Sequence, residues 1–177
     1  MYRIAVEKLL KWKQSKRRKP LIIEGARQVG KTWLMKEFGK QAYADTVYIN
    51  FDSNSRMAEL FSSDLDTERL IMGLELYVGR KINPECSLLI FDEVQECPNI
   101  ISSLKYFCQD FKDIPVIATG SMVRIKLQRE THKRGSRDND KFLFPVGKIN
   151  QMTIYPMTFD EFLMNSDFLM ITFFIFL

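Results

Sequence analysis

Eight consecutive residues, Gly25-Ala26-Arg27-Gln28-Val29-Gly30-Lys31-Thr32, satisfy every fixed position of the pattern GxxxxGK[ST]. Two glycines bracketing a short loop let the backbone come close to a ligand where a Cβ would intervene. Successive N–H groups can then converge on phosphate oxygens at the start of the next helix. Lys31 adds a point charge for the β and γ phosphates, and the Thr32 hydroxyl is an oxygen donor suited to Mg2+. The spacing assigns all eight residues to a bound nucleotide, with ATP and Mg2+ as the expected ligands.

A second group follows at Leu88-Leu89-Ile90-Phe91-Asp92-Glu93, an apolar run ending in two adjacent carboxylates. Asp92 at the carboxyl end of a strand would sit near the Mg2+ held by Thr32, where open α/β sheets bind ligands. Glu93 would polarise an attacking water. By itself such a run also describes an acidic turn closing a strand; downstream of a complete phosphate loop it points to phosphoryl transfer. Thr119-Gly120-Ser121 follows another apolar run. A hydroxyl from Thr119 or Ser121 could hold the water or sense the γ-phosphate, and Ser121 could equally cap the next helix. The candidate catalytic set is therefore Lys31, Glu93, Thr119 and Ser121, and the candidate metal donors are Thr32 and Asp92.

These groups need strands to carry them. Leu21 to Glu24 after Pro20 is short, apolar and without polar alternation, as in a strand buried on both faces of a parallel sheet. Val47 to Phe51, Leu88 to Phe91, Val116 to Thr119 and Lys148 to Ile154 supply four more strand candidates. Helical spacing appears over residues 2–13, from Gly30 to Phe38 with Gly39 as its expected stop, over Leu70 to Val78, and from Ile100 to Phe111 after Pro98. Thr158-x-x-Glu161 is a capping box opening a helix at Phe159 to Leu163. Alternation of strands and helices predicts an α/β fold with a central, mainly parallel five-stranded sheet and right-handed crossovers.

The whole-chain quantities agree with one such domain. The 177 residues are 46% hydrophobic and 27% charged, which excludes a disordered or fibrous chain. Cys86, Cys97 and Cys108 lack CxxC spacing and accompany one histidine, His132, so neither a zinc site nor a disulfide framework is suggested. Cys108 is expected as a small buried hydrophobe on a helix face. A reducing cytoplasm fits this cysteine usage, and the N-terminus lacks the apolar stretch of a signal peptide. The net charge of +4 is uneven: Lys11, Lys13, Lys16, Arg17, Arg18 and Lys19 form one basic run. Arg124, Lys126, Arg129, Lys133, Arg134 and Arg137 form a second, looser one. Both read first as solvated segments; nucleic-acid binding is the alternative, without a recognised motif to support it.

The sequence also resembles the N-terminal ATPase part of predicted AAA+ ATPases that carry a C-terminal DUF4143 domain. The resemblance rests on GARQVGKTWLMKEF, LIFDEVQECPN, IATGSM and FPVGKINQMTIYPMTFDEFL, and with the opening helix it covers nearly all of residues 1–163. It implies a P-loop, three-layer sandwich of AAA+ type. It also implies a Walker A loop at Gly25 to Thr32, a Walker B pair at Asp92 and Glu93, and a sensor-1 region at Thr119 and Ser121. An arginine finger remains unassigned among Arg124, Arg129, Arg134 and Arg137. A homo-oligomer or a C-terminal domain is the partner this family implies. Residues 164–177 fall beyond it, and Phe168 to Leu177, with Thr172 as the one polar residue, is shorter than the roughly 20 apolar residues of a membrane span. That tail reads as the end of a truncated or frameshifted gene. The leading function is MgATP hydrolysis at the γ-phosphate; the alternatives are a nucleotide-binding fragment without turnover and a nucleic-acid-associated module regulated by ATP.

Overall fold

The structure, a computed structural model, describes residues 1–120, 145 and 147–166. Helix α1 (Ile4–Gln14) precedes β1 (Leu21–Glu24), then α2 (Lys31–Ala42), β2 (Asp45–Asn50), α3 (Ser55–Ser63) and α4 (Thr67–Val78). After them come β3 (Ser87–Asp92), α5 (Asn99–Asp110), β4 (Val116–Gly120), β5 (Asn150–Thr153) and α6 (Phe159–Asn165). The five strands form one sheet in the order β2-β3-β4-β1-β5, with every neighbouring pair parallel. This is the α/β class and the strand count that the sequence predicts.

Parallel strands must be joined by crossovers, which leave helices on both faces of the sheet. Strand alternation divides the buried side chains accordingly. Ile22, Leu89, Phe91, Val116 and Ala118 face one core, closed by Phe61 of α3, Leu70 and Leu74 of α4, and Ile100, Leu104 and Phe107 of α5. Leu21, Ile23, Leu88, Ile90 and Ile117 face the other, closed by Leu9 and Trp12 of α1 and Leu34, Met35 and Phe38 of α2. Three layers result. Every residue of β3 and β4 is buried, which is why those segments read as unbroken apolar runs. Phe51, Phe61 and Phe91 meet edge to face with centroids 5.5 to 5.9 Å apart, packing α3 under the carboxyl ends of β2 and β3.

Some expectations need correction. Helix α2 does not stop at Gly39 but runs through it to Ala42, where the Tyr43 N–H closes on the Gly39 carbonyl at 3.0 Å. A Cβ on Gly39 would lie 2.7 Å from Thr46 Oγ1, so the glycine serves the close approach of α2 to β2. Helix α3 is absent from the sequence reading, although Asn54 caps it by accepting the Met57 N–H at 3.2 Å and Met57 and Phe61 lie four apart on its buried face. Cys108 is half-buried, and it is Cys97 that packs into the core. The capping box is present: the Glu161 N–H donates to Thr158 Oγ1 at 3.2 Å and the Thr158 N–H to Glu161 Oε2 at 2.9 Å. Ser121, His132, the second basic run, the candidate arginine fingers and the apolar tail from Phe168 lie outside the described residues. No helix among the described residues is long and apolar enough to cross a membrane.

Candidate nucleotide site

Strand order brings the chemistry together. β1 and β3 flank β4, so the phosphate-loop residues after β1, Asp92 at the end of β3 and Thr119 near the end of β4 all reach one edge of the sheet. Register makes this specific: Ile23 pairs with Thr119, and Phe91 pairs with Ala118.

The loop has no room for a larger residue at its start. A Cβ on Gly25 would lie 2.4 Å from the Ile154 carbonyl oxygen, and the Ile154 N–H is held on the Glu24 carbonyl at 2.7 Å. Gly30 opens α2 with φ +88°, which glycine adopts freely. Gln28 also has positive φ, +63°, a left-handed conformation that costs a non-glycine residue energy and clusters at functional sites. Nothing in the sequence signals it. Lys31, only 7% exposed, lays its ammonium across the loop, donating to the Gly25 carbonyl at 2.9 Å and the Ala26 carbonyl at 2.6 Å. Burial pushes its pKa below the usual lysine value, opposed by the nearby Glu93 and Asp92 carboxylates.

The acidic side is more elaborate than expected. Buried Asp92 accepts three hydrogen bonds: from Thr32 Oγ1 to Oδ2 at 2.9 Å, from the Tyr48 hydroxyl to Oδ2 at 2.8 Å and from the Glu93 N–H to Oδ1 at 3.0 Å. Tyr48 is a site residue that the sequence reading missed. Burial raises its pKa, reinforced by the bond to Asp92. The Lys36 ammonium lies 3.8 Å over its ring, one turn beyond Thr32. The available signal was alternation on β2, where Val47 and Ile49 enter one core while Tyr48 and Asn50 point the other way. Glu93 has φ +55°, and its carboxylate accepts a hydrogen bond from the Gln95 side-chain amide.

A cleft of about 560 Å³ opens over Arg27, Gln28, Lys31, Thr32, Trp33 and Glu93. Thr119 does not line it: its hydroxyl is fully buried and without a hydrogen-bond partner among the described residues. A larger cleft of about 790 Å³ lies at the opposite end of the strands, among Lys13, Arg18, Tyr43 and Asp113. Part of the first basic run is used there, so the run is not simply solvated. Arg18 donates to the Asp113 carbonyl at 2.9 Å, Lys19 to the Gly147 carbonyl at 2.6 Å, and Lys13 to the Ala42 carbonyl. Lys11, Lys16 and Arg17 are exposed.

The donor set fits a nucleotide phosphate and its metal. The Gly25 cradle excludes a Cβ, Lys31 supplies the cation, and Thr32 and Asp92 set two hard oxygens 2.9 Å apart. Mg2+ is commonly bound by one or two protein oxygens together with substrate phosphates.

A five-stranded parallel sheet, with a glycine loop after its β1 strand and a carboxylate ending the strand two places away, defines a P-loop nucleotide-binding core. The chain belongs to the AAA domain family, which matches residues 17–163. Among solved structures it is similar to the ORC1 protein of Aeropyrum pernix in complex with DNA, at 13% identity and a TM-score of 0.49 over 87% of this chain and 44% of that one. It is also similar to PCH-2 of C. elegans, at 13% identity and a TM-score of 0.40 over 84% of this chain and 40% of that one. The chain thus spans less than half the length of these two structures. No curated protein matches it.

Proposed function

We propose that this core binds MgATP at the cleft above Lys31 and hydrolyses it at the γ-phosphate. The observation that carries the reading is the 2.9 Å contact between Thr32 Oγ1 and Asp92 Oδ2. It joins the end of the phosphate loop to the end of β3, two segments sixty residues apart whose oxygens are those a nucleotide-bound Mg2+ requires.

Each residue then has a distinct task. The N–H groups of the loop and of the first turn of α2 grip phosphate oxygens. Lys31 leaves the Gly25 and Ala26 carbonyls and places its charge beside the β and γ phosphates, where it offsets charge on the transferred group. Thr32 and Asp92 hold Mg2+, which when bound neutralises charge across the same phosphates. Glu93 exchanges its bond to Gln95 for the attacking water, orienting it and accepting its proton. Thr119 keeps its sensor assignment from the sequence, supported by a buried hydroxyl at the end of β4 that has no hydrogen-bond partner among the described residues. Ser121 keeps the same assignment from the sequence. The resemblance at Phe144 to Lys148 and Tyr155 to Leu163 supports placing this core at the N-terminal side of a larger AAA+ type protein.

Calorimetric titration with MgATP, followed by phosphate release on the same sample, tests the reading. Lys31→Ala should lose binding, because it removes the phosphate charge. Glu93→Gln should keep affinity while turnover falls by about a hundredfold or more, as expected when a general base or water-orienting group is lost. Equal MgATP affinity in wild type and Lys31→Ala would remove the phosphate-loop assignment. Unchanged turnover in Glu93→Gln would remove Glu93 from the chemistry.

A further inference from the structure

Arg3 stands before α1, 26 residues from Val29 of the phosphate loop, yet it is only 5% exposed. Its guanidinium is spread over three partners. Nε donates to Glu161 Oε1 at 3.2 Å, Nη2 to the Tyr155 carbonyl at 2.9 Å and Nη1 to the Val29 carbonyl at 3.3 Å. Glu161, 4% exposed, is itself held by the Ile4 N–H at 2.8 Å and the Thr158 N–H at 2.9 Å. Stability alone is a poor reason for such a pair, since two charges removed from water recover little over an apolar pair of the same size.

The Val29 contact supplies another reason. The carbonyl of Val29 and the N–H of Gly30 belong to one peptide unit, and in a trans peptide they point in opposite directions from a common plane. With the carbonyl fixed on Arg3, the Gly30 N–H must face away from Arg3, on the side where Gly30 borders the cleft. The guanidinium also backs the loop sterically: Arg3 Nη1 is the atom nearest to where a Cβ on Gly30 would stand, at 3.5 Å. Arginine suits this position because its planar fork can serve three acceptors at once, whereas a lysine ammonium is a single point.

We propose that Arg3 is a positioning residue for the phosphate loop, holding the Val29 carbonyl out of the cradle so that the Gly30 N–H is aimed at a phosphate oxygen, with Glu161 fixing the guanidinium. This rests on the reading of Gly25 to Thr32 as a phosphate-binding loop. The pair thereby fastens both the start of α1 and the first turn of α6 to the nucleotide cradle.

The test compares Arg3→Lys, Glu161→Gln and Lys31→Ala in the full chain, with thermal unfolding and titrations of ADP, ATP and Mg2+. Arg3→Lys should unfold cooperatively and lose affinity for ADP and ATP alike, by about tenfold to a hundredfold, the range for losing a hydrogen bond to a charged group. Glu161→Gln should lose less. The Mg2+ concentration needed for half-saturation should stay at its wild-type value in both, because the Thr32–Asp92 pair is untouched; a general loosening of the fold would move it. Wild-type ADP affinity in folded Arg3→Lys and Glu161→Gln would overturn the proposal. If Lys31→Ala also binds as wild type, the phosphate-loop reading fails instead. Loss of cooperative unfolding in both Arg3 and Glu161 variants would make the pair a folding clasp, and the proposal falls.

Discussion

Gly25→Ala should be among the most damaging single-methyl changes in the protein, and the structure says by how much. The added carbon would stand 2.4 Å from the Ile154 carbonyl oxygen, 3.2 Å from Val29 Cγ2 and 3.3 Å from the Ile154 carbonyl carbon. Heavy atoms pack comfortably at about 3.5 Å or more, so the two backbones must part by roughly 1 Å. Neither is free to move: the Ile154 N–H is bonded to the Glu24 carbonyl at 2.7 Å, and β5 is paired with β1 up to Thr153 and Glu24. Overpacking of this kind costs about 1–3 kcal/mol, and losing the Ile154–Glu24 bond adds about 1 kcal/mol. Denaturant unfolding followed by circular dichroism should therefore give a loss of about 2–4 kcal/mol, with MgATP affinity falling as the loop is displaced. Gly39→Ala is the matched control. Its Cβ would also be close, 2.7 Å from Thr46 Oγ1 and 3.1 Å from Thr46 Cγ2, but these are atoms of one side chain, which shifts at less cost than the paired backbone at Gly25. Alanine in mid-helix returns about 1 kcal/mol of propensity, so the net change should stay within about 1 kcal/mol. If Gly25→Ala proves no more destabilising than Gly39→Ala, the argument that backbone contact fixes this glycine is refuted.

Tyr48→Phe should weaken Mg2+ binding to the nucleotide-loaded protein by about tenfold to a hundredfold, the usual effect of losing an outer-shell partner of a metal ligand. Nucleotide affinity in excess chelator should be unchanged, and equal Mn2+ titrations for wild type and variant would contradict the role. Thr119→Val removes a buried hydroxyl that has no partner among the described residues, so the nucleotide-free protein should gain up to about 1–2 kcal/mol while turnover falls. A variant less stable than wild type would show that the hydroxyl is bonded after all. Burial alone would raise the Glu161 carboxyl pKa, but the Thr158 and Ile4 N–H bonds and the Arg3 charge outweigh it and hold it below its ordinary value of 4.5. Its contribution to stability is therefore complete above about pH 4.5 and is lost as pH falls through the lower folded value. Glu161→Gln should flatten that acid limb in pH-dependent unfolding; a limb as steep as wild type would place the acid sensitivity elsewhere.

The groups proposed for the chemistry and the groups that aim them differ in how sequence encodes them. Gly25 to Thr32 and Asp92-Glu93 are contiguous runs at strand ends, and each strand is a short apolar segment because both its faces are buried. Local physics therefore makes the runs and their carriers legible together, and the parallel strand order brings them to one edge. Gly39 misleads for the opposite reason: a glycine packed closely on Thr46 carries the same letter as one that ends a helix. Tyr48 and Arg3 show the deeper limit. Each is a single residue whose partner lies on another element, Asp92 for Tyr48 and Val29 with Glu161 for Arg3; alternation on β2 gives the face Tyr48 takes but not its partner, and nothing local distinguishes Arg3 from a solvated arginine. Register and crossover geometry give them their tasks. The Arg3–Glu161 link joins positions 158 residues apart, and its third contact falls on a peptide whose opposite face the phosphate is expected to use. Within the motif Lys31 reaches the Gly25 and Ala26 carbonyls, whereas the Val29 carbonyl is held by a side chain from outside it, so the force that orients that peptide comes from the element the fold places behind it. In this chain that element is the residue before α1.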